Sequence, residues 1–300
     1  MAGELAEAEQ VQRRALEIVQ RERGEMHPRV GLAHERLARL LARRQRAAEA
    51  KTHMLRSIEI QERFFGPTDP RLASSYGTLG NVYLGLSDPE NALRNHSRAY
   101  DLAKKGKRGP GETAGFVLGI VSALQRLDRQ DEALELIVSF RKEADAALGT
   151  NFPNAGNLCS LHADVLIDTR DFAGAQTVAR EALEIIERSY GPKHAANIDA
   201  RVRLARTLVE TSRFTDAIPL LEEVVKDAGD AQGVGDRPFL ARALLARSLA
   251  GAGSEDQERI LSLAREARDW YGDDTNPRFA ETIKNLDTLL RFQVAASGPR

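Results

Sequence analysis

Small residues recur in this chain at an interval of 41 or 42 positions, and that period constrains the fold more than composition does. One series runs Ala38, Gly80, Val121, Ala163, Ala205, Ala246 and Asp287, and a second runs Ala8, Ala50, Ala92, Ala133, Ala175 and Ala217. A third, looser series marks breaks at Gly24, Gly66, Gly109, Gly149, Gly191, Gly233 and Gly272. A period in this range means stacked supersecondary units, each too small to bury its own apolar face alone.

The stretch from Phe172 to His194 shows what one half of a unit is. Ala175 and Ala182 lie seven apart and share one side of a helix, with Leu183, Ile185 and Ile186 as an apolar flank. Arg180, Glu181, Glu184 and Arg188 form the wet side. Gly191-Pro192 then ends the helix, since Gly tolerates the left-handed turn and Pro cannot continue the ladder.

At these residues the chain resembles the tetratricopeptide repeat family, in the longer form of about 42 residues found in kinesin light chains and many bacterial proteins. The pattern reads Leu37-Ala38-x-x-Leu41, Leu79-Gly80-x-x-Tyr83 and Leu204-Ala205-x-x-Leu208, then Phe172-x-x-Ala175 and Phe214-x-x-Ala217. The loops read Gly24-Glu25-Met26-His27-Pro28, Gly66-Pro67-Thr68-Asp69-Pro70 and Gly191-Pro192-Lys193-His194-Ala195. The resemblance covers about residues 3–293. It implies an all-α fold, a right-handed superhelical solenoid of antiparallel helix pairs with about 14 helices. The expected organisation is a single array over 1–293. It comprises a half repeat at 4–24, full repeats at 27–66, 69–108, 111–149, 152–191, 194–233 and 236–272, and a capping helix at 276–293. A disordered tail is expected at 294–300.

Composition removes other classes. The formal charge of −1 gives no global field for nucleic acid or membrane, and no apolar run is long enough to span a bilayer. The start, MAGELAEAEQ, is acidic rather than a signal sequence, and the lone Cys159 rules out an intramolecular disulfide or thiolate cluster. A soluble, cytoplasmic protein is expected. The bias of 35 Arg over 8 Lys is compatible with a GC-rich bacterial genome.

Along the chain, the first helix, about 4–22, falls in the register of a second helix whose own first helix is missing. The apolar side that such a helix would cover is bare. Either the chain is a piece of a longer protein, or the lone helix packs weakly against another copy. Helices are further expected near 29–44, 47–63 and 277–293. Arg43, Arg44 and Arg46 read as a solvated turn, and Asp88 before Pro89 reads as a helix cap. The basic segment from Lys104 to Gly111 reads as an exposed loop. Val121 would splay its pair or find room opposite Ala133, Glu258 stands where the second small residue belongs, and Asp287 suits a final capping helix.

The resemblance also implies an inner wall built from the first helix of each pair. Carried over by position, the wall residues are Arg39, Arg43, Asn81, Gly85, Ser122, Arg126, Asp164, Asp168, Arg206, Glu210 and Arg247, approached by Asn157 and Ser160. The peptide-binding set expected from these is Arg39, Arg43, Asn81, Arg126, Asn157, Asp164, Asp168 and Arg206. Arginine forks hold carboxylates in pairs, so the first half suits an acidic partner or a terminal carboxylate.

Catalytic and cofactor patterns are missing. His34-Glu35 lacks the second His of a zinc protease, and the GKRGPG run lacks the Lys-Ser/Thr end of a phosphate loop. Cys159, Ser160 and His162 share one helix at spacings that make no nucleophile–base pair. His27 and His194 read as loop punctuation. No cofactor, metal, nucleic acid or membrane partner is expected. The reading is a non-catalytic scaffold that binds a partner protein or peptide. Two alternatives stand beside it: an accessory region of a larger bacterial signalling enzyme such as a Ser/Thr kinase, and a peptide-ligand sensor.

Overall fold

The computed structural model of the chain describes residues 2–152, 154–191, 194–228, 236–272 and 277–296. Pro192, Gly233 and the tail beyond Ala296 lie outside them. Among the described residues there are fourteen α-helices and no strand. They fall into two compact units, residues 1–154 and 155–300.

The first unit holds α1 (Ala2–Arg23), α2 (Pro28–Arg43), α3 (Ala47–Phe65), α4 (Ala73–Gly85), α5 (Pro89–Lys105), α6 (Pro110–Arg126) and α7 (Gln130–Leu148). A short 3-10 turn, Pro70–Leu72, leads into α4. The second unit holds α8 (Ala155–Asp168), α9 (Phe172–Tyr190), α10 (Ala195–Glu210), α11 (Phe214–Ala228), α12 (Arg237–Gly251), α13 (Gln257–Tyr271) and α14 (Pro277–Ala296).

Each pair from α2–α3 to α12–α13 is closed by the same turn. Gln45, Ser87, Asp128, Arg170, Ser212 and Gly253 all have positive φ, between 56° and 74°. In the first turn Arg46 N–H donates to the Leu41 carbonyl at 2.9 Å and Gln45 N–H to that of Ala42 at 3.0 Å. This is the Schellman arrangement, which satisfies carbonyls left open at a helix end, and the five later turns repeat it. Five of these turns span three residues, the sixth spans 252–256, and each brings the second helix back beside the first.

Between pairs the breaks differ. Gly24, Gly66, Gly149, Gly191 and Gly272 do adopt positive φ. Gly109 does not: it is the extended N-cap of α6, and Lys107 takes the left-handed position at φ 58°. The basic loop therefore shrinks to Gly106–Gly109. Lys104 pairs with Glu143 at 3.0 Å, and Lys105 donates to the Thr68 carbonyl at 3.0 Å. His27, Asp69 and His194 cap the following helices by accepting from the backbone N–H two residues on. The Arg71 guanidinium beside Asp69 holds that carboxyl down to about 2.

The small positions are buried at the centre of each pair, Ala38, Ala50, Ala92, Ala133, Ala163, Ala175, Ala205, Ala217 and Ala246 among them. Val121 is buried as completely as the alanines. In the last full pair the register shifts. Each second helix begins three residues before its small position, and α13 begins at Gln257, so fully packed Ile260, not exposed Glu258, takes the place of Ala217. The longer turn through Gly253–Asp256 moves the helix by two residues.

The N-terminal helix carries the bare stripe expected of a half pair. Ala8 is exposed, Ala15 is half-buried, and Val11 and Ile18 are 63% and 38% exposed. Its other side is fixed by an ion cluster that the reading of a solvated turn missed. The buried Glu9 carboxylate accepts from Arg13 and Arg46, each at 2.8 Å, and from Arg44. Burial opposes ionisation of Glu9, but the hydrogen bonds from Arg13 and Arg46 outweigh it and hold the pKa below the ordinary carboxylate value. At the other end, Asp287 on α14 pairs with Arg268 at 2.7 Å.

Candidate functional site

In each unit the backbones of the first helices approach their successors, α2 to α4 to α6 and α8 to α10 to α12, while among the described residues the second helices stand further apart and meet only through long side chains, as in Lys104–Glu143 and Glu222–Arg259. The first helices therefore line the tighter, inner side of each unit. On that side every first helix presents one stripe at i, i+3 or i+4 spacing that stays in reach of solvent.

In the first unit the stripe on α2 is Leu32, Arg36, Arg39 and Arg43, all exposed. Arg39 pairs at 2.7 Å with Glu35, whose other oxygen lies 3.0 Å from the Ser75 hydroxyl and 3.3 Å from the Gln61 amide. Ser57 completes this buried network by donating to the Gly31 carbonyl. Arg39 is thus anchored through a carboxylate that α3 and α4 hold in place. Arg36 and Arg43 have no ion partner among the described residues. Asn81 is exposed on α4, with Gly85 below it. Arg126 on α6 donates to the Leu84 carbonyl at 2.6 Å, where the C-terminal end of the α4 dipole favours a cation. No acidic residue occurs in α4 and only Glu112 in α6, so the first helix beside α2 offers no carboxylate to Arg36 or Arg43.

The second unit treats its charges differently. Asp164 pairs with Arg203 at 2.9 Å, Asp199 with Arg237 at 2.6 Å, and Glu210 with Arg247 at 2.7 Å. These bridges link α8 to α10 and α10 to α12, so the wall there neutralises itself. Asn157 and Asp168 are exposed on α8, and Arg206 is half-buried without an ion partner among the described residues. Ser160, expected to approach the wall, is buried instead. Cys159 is buried beside it, and His162 is half-buried. Arg201, which sequence reasoning passed over, is a buried clamp between α9, α10 and α11 through Glu187, Glu223 and Asp227. Its only sequence signal is an arginine inside the apolar stripe of α10.

Among the described residues no group of three or more His, Cys, Asp or Glu is placed to hold a metal ion. None of the helices described is long and apolar enough to cross a membrane.

The comparisons agree with this geometry. The profile of a tetratricopeptide repeat family matches residues 29–105 and 157–228. A kinesin light chain-related protein of Arabidopsis thaliana is 24% identical over 266 residues, covering 83% of this chain and 38% of its own length. The chain thus spans about two fifths of that relative. Among solved structures, BtubC (BKLC) from P. vanneervenii has a TM-score of 0.64 at 17% identity, covering 77% of this chain and 94% of that one. The quorum sensor NprR from B. thuringiensis, in its apo form, has a TM-score of 0.62 at 12% identity, covering 93% and 80%. With its repeated helix pairs, shared turn and matched profile, and with likeness to kinesin light chain relatives, the chain belongs to the tetratricopeptide repeat family.

Proposed function

We propose that this chain is a non-catalytic interaction scaffold that holds an acidic segment of a partner protein or peptide along the first-helix wall of residues 1–154. The carrying observation is the stripe Arg36, Arg39 and Arg43, three cations on successive turns of α2, opposite first helices that offer almost no acid. Leu32 at one end of the stripe is 45% exposed and offers an apolar contact. In this reading Arg39, Arg43 and Arg126 select carboxylates, and Asn81 holds the backbone of an extended segment through its amide. Asn157, Asp164, Asp168 and Arg206 contribute less, since the charges around them already compensate one another. A cytoplasmic setting fits this reading.

The test begins with a partner recovered from native lysate and measured by titration calorimetry. Arg39→Ala and Arg43→Ala should each weaken binding by about 1.5–3 kcal/mol, the range for hydrogen bonds to charged groups. Raised salt should weaken it further, and Arg180→Ala on α9 should leave it unchanged. Binding that survives both α2 variants and responds to Arg180→Ala would sink the proposal. A sensor reading, suggested by the likeness to a quorum sensor, predicts instead that a short peptide alone raises the melting midpoint.

A further inference from the structure

We infer that the outer side of the first unit carries a second, separate docking groove, which takes a short protein segment with an apolar anchor flanked by carboxylates. Because the backbones of α3 and α5 stay apart, a groove of about 650 Å³ opens between them, floored by α4. Such a volume is in the range of small-ligand clefts and accommodates a few side chains. Its floor is apolar and aromatic: Tyr76, Leu79 and Tyr83 at i, i+3 and i+7 on α4, with Leu55 of α3 46% exposed at the edge. The corresponding groove in the second unit, between α9 and α11, is lined by Gln176, Thr177, Arg180, Glu181, Glu184 and Arg213 and has no such floor.

Charge decides what the groove accepts. Both of its carboxylates are already committed. Glu62 accepts from the Tyr76 hydroxyl at 2.5 Å, and Glu59 accepts from Arg56 at 2.8 Å. Burial, followed by the Glu62 contact, pushes the Tyr76 phenol up to about 12, so it stays a donor to Glu62 at every physiological pH. The guanidinium groups at the rims are not committed: Arg63 from α3 and Arg94 from α5 are exposed and have no ion partner among the described residues. Two more cations stand over the floor, Arg98 at 5.7 Å from the Tyr76 ring and Lys51 at 6.0 Å from the Tyr83 ring. Asp88 acts on Lys51 and Arg94 from a distance, and Arg98 donates to the Pro67 carbonyl, but Arg63 and Arg94 form no close ion pair among the described residues. An apolar floor bordered by these cations fits a carboxylate-flanked leucine or aromatic residue and repels a basic segment.

The experiment selects a displayed library of random 12-residue peptides on the intact chain. Selected clones are then measured on Arg63→Glu with Arg94→Glu, on Leu55→Lys, and on Arg36→Glu with Arg43→Glu, whose helix content is checked by circular dichroism. The expected result is a set of clones rich in Asp and Glu beside Leu, Phe or Trp. These should lose tenfold or more on both outer-groove variants and keep their affinity on the α2 variant. If every acidic clone fails on the α2 variant and none on the outer ones, this groove is not a site and only the inner wall binds. If the clones sensitive to the outer substitutions are basic, or no clone responds to them, the inference is also overturned.

Discussion

At the residue scale the most consequential side chain is one that the sequence pattern passes over. His96 on α5 is 1% exposed, and neither ring nitrogen has a hydrogen-bond partner among the described residues. Its ring fits only because two facing positions are glycine: a Cβ on Gly80 would come to 2.5 Å of it, and one on Gly119 to 2.3 Å. Gly80→Ala should therefore cost about 1–3 kcal/mol by overpacking, read as a lower urea midpoint with an unchanged slope. Burial alone also drives the His96 pKa down to about 4, from 6.5. Between those values the unfolded chain binds more protons than the folded one, so stability is full above pH 6.5 and falls as the pH falls toward 4. At pH 5 the loss from His96 should be about 2 kcal/mol relative to pH 7.5. His34 is buried against His53, with its pKa also held at about 4 by burial and then by the His53 and Arg56 charges, and it adds to the same slope. Urea titrations at the two pH values check this, and His96→Leu should remove part of the slope but not all of it. An acid slope that His96→Leu leaves untouched would show that His96 is not its source. Nothing in the period announces such a residue, since the second glycine, Gly119, lies off the small-residue series.

At the scale of the element, the helices were legible because small residues recur at a fixed spacing of 41 or 42 positions. The turns between paired helices were not, because five of the six left-handed residues are not glycine. A search for glycine finds the breaks between pairs and misses the turns within them. That gap yields a prediction. A non-glycine residue in the left-handed region costs about 1–2 kcal/mol, of which the greater unfolded-state freedom of glycine takes back a part. Gln45→Gly and Arg170→Gly, both exposed, should each stabilise the chain by about 0.5–1 kcal/mol in thermal or urea unfolding. Destabilisation by either would mean that the side chain itself holds the turn. The ion contacts were illegible for a different reason: Glu9 meets Arg44 and Arg46 across 35 and 37 residues, and Asp164 meets Arg203 across 39. A periodic pattern places helices beside each other but does not say which long side chains will find one another. Glu9→Gln should accordingly loosen α1 alone, raising amide exchange across Leu5–Val19 while the exchange of α4 stays as it was. Equal loosening of both helices would refute the view that this cluster acts locally.

At the scale of the whole molecule, the two units differ in charge and in how they hold themselves together. Residues 1–154 contain 24 Lys and Arg against 21 Asp and Glu, and residues 155–300 contain 19 against 23. The near-zero total hides this opposition, and in the first unit Arg36, Arg43, Arg63 and Arg94 have no ion partner among the described residues. Each unit also has a core of its own. Leu37, Leu41, Met54 and Leu79 pack in the first, and Leu208, Leu221, Leu245, Ile260 and Leu286 pack in the second. Stability in repeat arrays is close to a sum over units and their nearest-neighbour interfaces, with about three repeats needed for independence. A cut between Asn154 and Ala155 leaves three full pairs on each side. Residues 1–154 and 155–300, expressed separately, should each keep a helical far-UV spectrum and unfold cooperatively in urea. A cut at Ser87 instead separates α4 from α5, exposing Gly80 and the ring of His96 that packs on it. Residues 1–86 should then lose cooperative unfolding, because the two faces of α4 that other helices cover would be reduced to one. If 1–86 unfolds as sharply as 1–154, or 155–300 is unfolded alone, the division into these two units does not describe the energetics of the chain.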